Sequence, residues 1–201
     1  MSKESRITLR MVEAWEKERT DKGSQCAKKI REEIERLSGF KLKLKPMGAR
    51  VESGYDPDFH GISEHLDYHV YYEDKHIATI EPSCPNYTFA GSRMMPVSYY
   101  KGQIIKDSDV PVFVIFNMIE EHRSLKDQCV WIRGEDVIKC PDYREFLGGK
   151  WQRNYQTLEH PCGRDNWHRS LQSLVDELLE NIHPIIKLKD LNQKSKLTQI
   201  R

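Results

Sequence analysis

No apolar run in the chain approaches the roughly 18–20 residues needed to cross a bilayer. Met1-Ser2-Lys3-Glu4-Ser5-Arg6 opens it without the apolar segment of a signal peptide behind. These absences predict a protein with no membrane span, working in the cytoplasm. The five cysteines, at 26, 84, 129, 140 and 162, are odd in number and never form a CxxC pair, so neither a disulfide framework nor a zinc ribbon is indicated. Cys129, Cys140, His160 and Cys162 lack the short paired spacing of a zinc site, and buried thiols in a reducing compartment are the expectation. A Gly-rich phosphate loop, HExxH and GxSxG are all missing, which leaves nucleotide hydrolysis, zinc proteolysis and serine hydrolysis without support. An excess of one charge is missing too. The 32 Lys+Arg face 31 Asp+Glu, a net charge of +1, which argues against holding a polyanion by bulk charge alone.

What is present suffices for a folded domain. Ile, Leu, Val and Phe make up 47 of 201 residues, above the roughly 20% expected of a disordered chain, and the length fits one domain. The charges, although balanced, are segregated. Residues 1–50 carry 14 Lys+Arg against 8 Asp+Glu, while residues 51–90 carry 8 Asp+Glu against Lys75 alone. An acidic block between basic flanks suits a metal-dependent site that acts on a polyanion, with carboxylates for the cation and basic surface for phosphates.

Periodicity places the elements. Residues 3–22 alternate charge with Ile7, Leu9, Met11, Val12 and Trp15, an exposed helix broken near Gly23. Cys26, Ile30, Ile34 and Leu37 recur at helical spacing, with Gly39 as the stop. Phe40, Leu42 and Leu44 then alternate with Lys41, Lys43 and Lys45, the period of a half-buried strand with a basic outer face, ended by Pro46. After a Gly-, Asp- and Pro-rich loop over 52–64, Leu66–Tyr72 and His76–Glu81 alternate on either side of Glu73-Asp74-Lys75 and predict a hairpin. Pro96 precedes a helix with Val97, Tyr100 and Ile104 on one side. Pro111–Phe116 is almost continuously apolar, the signature of a strand buried on both faces at the centre of a sheet. Cys129–Ile132 reads as a strand, Asp142–Leu147 as a short helix ended by Gly148-Gly149, and 150–163 as loop or hairpin. Asp165 caps a last helix with Trp167, Leu171, Leu174, Val175, Leu178 and Ile182 on one stripe. The predicted division is a helical extension over 1–24, one α/β domain over 25–182 and a basic tail over 183–201.

The chemistry concentrates in the hairpin. A three-residue loop Glu73-Asp74-Lys75 pairs Tyr72 with His76 and sets Asp67 directly opposite Glu81, on one face. At an effective dielectric near 20, two carboxylates about 5 Å apart repel by roughly 3 kcal/mol, so a bound Mg²⁺ or a nearby lysine has to offset them. A two-residue turn would instead send the acids to opposite faces.

The order helix, strand, strand, strand, helix, strand, with acids on the second and third strands, resembles the PD-(D/E)XK nuclease superfamily over roughly residues 25–117. The resemblance implies a restriction-endonuclease-like, Holliday-junction-resolvase-like α/β core: a mixed central β-sheet flanked by helices. It also implies that Asp67 and Glu81 hold Mg²⁺, with Mn²⁺ as a substitute, and that a lysine helps activate the attacking water. The family places that lysine two residues after the second acid. Here the run is Glu81-Pro82-Ser83. Some members carry it on the following helix, where this chain has Lys101. A literal Pro57-Asp58 pair falls in the loop, and Glu33, on the second helix, is a candidate for a further metal-facing carboxylate.

The expected function is therefore metal-dependent hydrolysis of phosphodiester bonds in DNA or RNA, with Asp67, Glu81 and Lys101 catalytic and Lys41, Lys43, Lys45 and Arg93 as phosphate contacts. Cutting both strands would call for a homodimer. A non-catalytic nucleic-acid-binding module on the same fold is the alternative. A third reading takes His65-Leu66-Asp67, with His122 and Arg133, as similar to the two-histidine, one-carboxylate iron site of 2-oxoglutarate-dependent oxygenases. The jelly roll of those enzymes disagrees with the helices predicted here.

Overall fold

The computed structural model describes residues 21, 23–47, 51–52, 66–83, 96–117, 129–147, 150–156 and 168–182. Residues 1–20 and 22 of the predicted extension, the loop from 53 to 65, Arg93 and the basic tail lie outside them. Helix α1 covers residues 23–37 and buries Cys26, Ala27, Ile30 and Ile34, the stripe that helical spacing predicted. It ends where Gly39 and Phe40 both take left-handed backbone angles, φ +61° and +60°, and Phe40 N–H donates to the Glu35 carbonyl at 2.8 Å. That turn swings the Phe40 ring outward, to 71% exposure, so it does not join Leu42 and Leu44 in the core as the alternation predicted.

The strands are β1 (Leu42–Pro46), β2 (Tyr68–Tyr72), β3 (Lys75–Ser83), β4 (Pro96–Ser98), β5 (Val112–Asn117), β6 (Cys129–Arg133), β7 (Asp142–Leu147), β8 (Lys150–Gln156) and β9 (His168–Arg169). Between them stand α2 (Tyr99–Lys106), α3 (Gly134–Val137) and, last, α4 (Leu171–Glu180). Six strands form one sheet in the order β1-β2-β3-β5-β6-β9. It is mixed: β3 and β5 run parallel, joined through α2, and the other neighbours are antiparallel. The apolar run Val112–Phe116 is β5, buried throughout between β3 and β6.

Alternation along the strands sorts the two faces. Tyr68, Val70, Ile80, Phe113, Ile115 and Trp131 pack with the stripes of α1 and α4. Val112, Val114, Phe116 and Ile132 pack with Ile105 of α2 and Val137 of α3. Helices thus cover both sides of the sheet, and among the described residues none is long and apolar enough to cross a membrane.

The second face closes tightly at Gly134, where a Cβ would come within 2.7 Å of Ile105 Cγ2 and 3.0 Å of Val112 Cβ. Gly134→Ala is therefore expected to force α3 away from β5 at a cost of roughly 1–3 kcal/mol. Thermal denaturation checks it, and an unchanged melting temperature would contradict this packing.

Three local expectations are corrected. Asp142–Leu147 is strand β7, paired along its length with β8 from Asp142↔Tyr155 to Leu147↔Lys150, in a second sheet of order β4-β8-β7. The predicted stop, Gly148-Gly149, lies outside the described residues. Helix α4 starts at Leu171 rather than after Asp165: His168–Arg169 pair with β6, and the Ser170 hydroxyl caps the helix by accepting from Ser173 N–H at 3.3 Å. Asp165 and Trp167 lie outside the described residues. Cys26 is disulfide-bonded, against the expectation of thiols alone, whereas Cys129 and Cys140 are free and buried.

A polar network ties α1 to the strands that carry the acids. Glu35 accepts Leu44 N–H at 3.0 Å and pairs with Arg31 at 3.1 Å. Arg31 also holds Glu52, which accepts the Tyr68 hydroxyl at 3.0 Å. Burial, then the hydrogen bond to Glu52, pushes the Tyr68 phenol above its ordinary range. Tyr68 is thereby anchored on the α1 face, and its neighbour Asp67 is turned to the other.

Candidate active site

The hairpin brings the acids together by a route that the sequence did not predict. Its turn has two residues, Glu73-Asp74, with Glu73 at φ +52° and Tyr72 paired with Lys75. That pairing alone would put Asp67 and Glu81 on opposite faces. A register shift between Val70 and Tyr71 restores it, so that Val70 meets Ala78 and Tyr68 meets Ile80. Asp67 lies one residue beyond that last pair, and its backbone N–H donates to Glu81 Oε2 at 3.1 Å.

Glu81 is only 2% exposed. It pairs with Val114 of β5 and shares that residue's face, beneath α2. Lys101 Nζ donates to Glu81 Oε1. Each Glu81 oxygen thus receives one donor and retains a second lone pair. Lys101 sits in the first turn of α2, where the Ser98 hydroxyl accepts its backbone N–H at 3.2 Å.

That helix presents a different stripe from the predicted one. Gly102 and Ile105 are buried, whereas Tyr100 is 41% exposed and Val97 belongs to β4. Lys101 precedes Ile105 by four positions, about 40° away around the helix, so it points toward the sheet with the core residues. Its side chain as a whole keeps 32% exposure, whereas Glu81 beneath it keeps 2%.

Burial and charge oppose each other here. Burial raises the Asp67 carboxyl above its ordinary value, and the Lys101 charge pulls it back. Burial lowers the Lys101 amine, and Asp67 opposes that shift. Two acids sharing one ammonium provide the offset their repulsion requires. Carboxylate oxygens are hard ligands that suit Mg²⁺ or Mn²⁺, and Mg²⁺ characteristically takes one or two carboxylates and completes its shell with water and substrate phosphate. Among the described residues no group of three His, Cys, Asp or Glu could hold a metal; Asp67 and Glu81 are the pair that would offer it oxygens.

The other predicted residues fall elsewhere. Lys41, Lys43 and Lys45 are exposed at β1, the edge of the sheet, and Arg93 lies outside the described residues. Glu33 is on α1, which covers the opposite face, and its carboxylate accepts from Arg36 at 2.6 and 2.7 Å. It cannot reach the acids through the sheet. The iron-site reading is disfavoured on its described members: Arg133 is paired with Glu177 at 2.7 Å, and helices rather than the strands of a jelly roll flank the sheet. His65 and His122 lie outside the described residues. The zinc reading loses Cys140, whose thiol donates to the Asp136 carbonyl at 3.3 Å, and Cys129, whose thiol is pushed up to about 12 by burial and by Glu33. A cavity of about 470 Å³ lined by Ile105, Phe113, Arg133 and Glu177 does not include Asp67, Glu81 or Lys101. Ser98 is the contributor that the sequence reading missed. Serine three residues before Lys101, at the head of an apolar-periodic segment, is an ordinary N-cap signal. Neither a family model, nor a curated protein, nor a solved structure matches the chain.

Proposed function

We propose that the chain is a metal-dependent nuclease with a restriction-endonuclease-like core. The observation that carries this reading is the convergence of Asp67, Glu81 and Lys101 beneath α2. With β4 set aside in the second sheet, the elements run α1-β1-β2-β3-α2-β5, and the parallel pairing of β3 with the strand after the helix supports the fold assignment. Asp67 and Glu81 would hold Mg²⁺ or Mn²⁺ through their remaining lone pairs. A divalent cation there supplies a lowered pKa for bound water and neutralises charge on the scissile phosphate. Lys101 stands beside the same carboxylates. As an ammonium it stabilises negative charge gathering on the phosphate oxygens. With its pKa lowered by burial, it is also better suited than an exposed lysine to take a proton from the attacking water. The Ser98 cap fixes the turn that carries it.

The departure Glu81-Pro82-Ser83, without the lysine in its usual place, favours one second reading: a binding module that kept the sheet and lost catalysis. Incubation with single- and double-stranded DNA and RNA, in Mg²⁺, Mn²⁺ or EDTA, separates the two. Cleavage is expected with either metal and not in EDTA. It is expected to fall at least about 100-fold in Asp67→Asn and in Glu81→Gln. Variants that cut like the parent would place the activity elsewhere, and binding without cleavage in any metal would favour the module.

A further inference from the structure

The face of the sheet that carries the acids continues past them. Strand register assigns it residue by residue, because directly paired residues share a face. Lys45 pairs with His69, which pairs with Thr79; Lys43 pairs with Tyr71, which pairs with His76. Tyr68 and Val70 occupy the opposite face. The rings confirm the grouping: His69 stacks on His76 at 4.1 Å and 16°, and Tyr71 lies 5.5 Å from His76 and 6.4 Å from His69. His76 Nε2 is 3.2 Å from Thr79 Oγ1, a contact that ties the His76 ring to its own strand. Lys43 and Lys45 are exposed, and His69, Tyr71 and His76 are half-buried. The apolar cluster under α2 includes β5 and β6 residues but none from β1, β2 or β3. Among the described residues, the remaining half of the face therefore presents two lysines at the edge and three rings inside them. Along these rows its acids are Asp67 and Glu81, while Glu73 and Asp74 sit in the turn at the far end.

We infer that this half-face is a stacking platform for single-stranded nucleic acid that leads the strand to the Asp67–Glu81–Lys101 site. The inference deepens the nuclease reading and rests on it. Rings on an open sheet bind bases by their faces, and those faces are available only when bases are unpaired; a duplex hides them in its own stack. Lysines along the edge neutralise the phosphates of the same strand. Asp67 immediately precedes β2 and lies four residues before Tyr71, about 13 Å for extended chain, so a base seated at Tyr71 delivers a phosphate a short distance along the chain to the acids. A site built for duplex would need the lysines and not the rings.

Fluorescence anisotropy in EDTA, where no cleavage intervenes, tests it with labelled oligothymidine and oligouridine of about 15 nucleotides against a duplex of that length. Single strands are expected to bind at least about tenfold more tightly than duplex. Tyr71→Val should weaken single-strand binding roughly 5- to 100-fold while Tyr71→Phe retains it. Duplex bound as tightly as single strand, or Tyr71→Val binding like the parent, overturns the platform. Should Tyr71→Val fail to fold, the double exchange Lys43→Ala with Lys45→Ala, at exposed positions, takes its place: it is expected to weaken binding and flatten its salt dependence by about 1.4 in logarithmic slope, and an unchanged slope overturns the platform. The two readings fail separately. Ring-dependent binding without metal-dependent cleavage leaves the platform and removes the nuclease; cleavage with ring-independent binding does the reverse.

Discussion

Lys101→Ala is expected to lower turnover roughly 10²- to 10⁴-fold, the range for losing a proton-transfer or charge-stabilising group. Metal affinity should not fall with it. The amine donates to Glu81 and an ammonium ligates no cation, so its removal leaves both carboxylates available to the metal. Single-turnover cleavage at several Mg²⁺ concentrations separates the two quantities: the rate at saturation should collapse and the half-saturating concentration should stay or drop. Lys101→Arg adds a second axis. Guanidinium keeps the charge but does not deprotonate in the accessible range. If the amine takes the proton, Lys101→Arg should be as slow as Lys101→Ala, and the parent's rate should climb with pH, reaching its plateau below the range of an ordinary lysine because burial lowers this one. Saturated cleavage by Lys101→Ala at the parent's rate would remove Lys101 from the mechanism.

The same substitution should cost stability in a way that magnesium repairs. Without the ammonium, Glu81, 2% exposed, is left with the Asp67 N–H and a nearby like charge. Breaking a fully buried pair costs roughly 3–5 kcal/mol. The Lys101 side chain keeps 32% exposure, so water moderates the loss, and about 2–3 kcal/mol is expected. For a domain of this size that lowers the melting temperature by about 5–10 °C. A cation bound between the acids takes over the lost charge and stabilises by about 1.4 kcal/mol at tenfold excess over its dissociation constant. The melting temperature of Lys101→Ala should therefore rise with Mg²⁺ more than that of the parent, where the ammonium already offsets the acids. The double exchange Lys101→Ala with Glu81→Gln should lose that rise. A metal-independent melt in Lys101→Ala would mean that the acids do not bind the ion.

Much of the scaffold was legible because its signals are local. The spacing of Cys26, Ile30 and Ile34, the Leu42–Leu44 alternation and the apolar run Val112–Phe116 each reflect a residue's own face and burial, and a period needs no partner to be read. Asp142–Leu147 was misread for the complementary reason. Its six residues suit a short helix as well as a strand, and only β8, pairing from Asp142↔Tyr155 onward, decides between them.

The candidate site divides along the same line. That Asp67 and Glu81 are the acids of a hairpin, and that Lys101 opens the next helix, follow from the sequence by itself. Their meeting was decided by the tertiary structure. The turn is one residue shorter than expected, and the shift at Val70/Tyr71 compensates because Tyr68 and Ile80 must both enter the core against α1 and α4. A one-residue slip would expose one of those strands' apolar sets. Lys101 reaches Glu81 because β4 pairs with β8 through Ser98, which starts α2 at Tyr99 and turns Ile105, with Lys101 one turn before it, onto the sheet. Strand register and helix phase are set by burying apolar side chains against elements distant in the chain, and no local period records them.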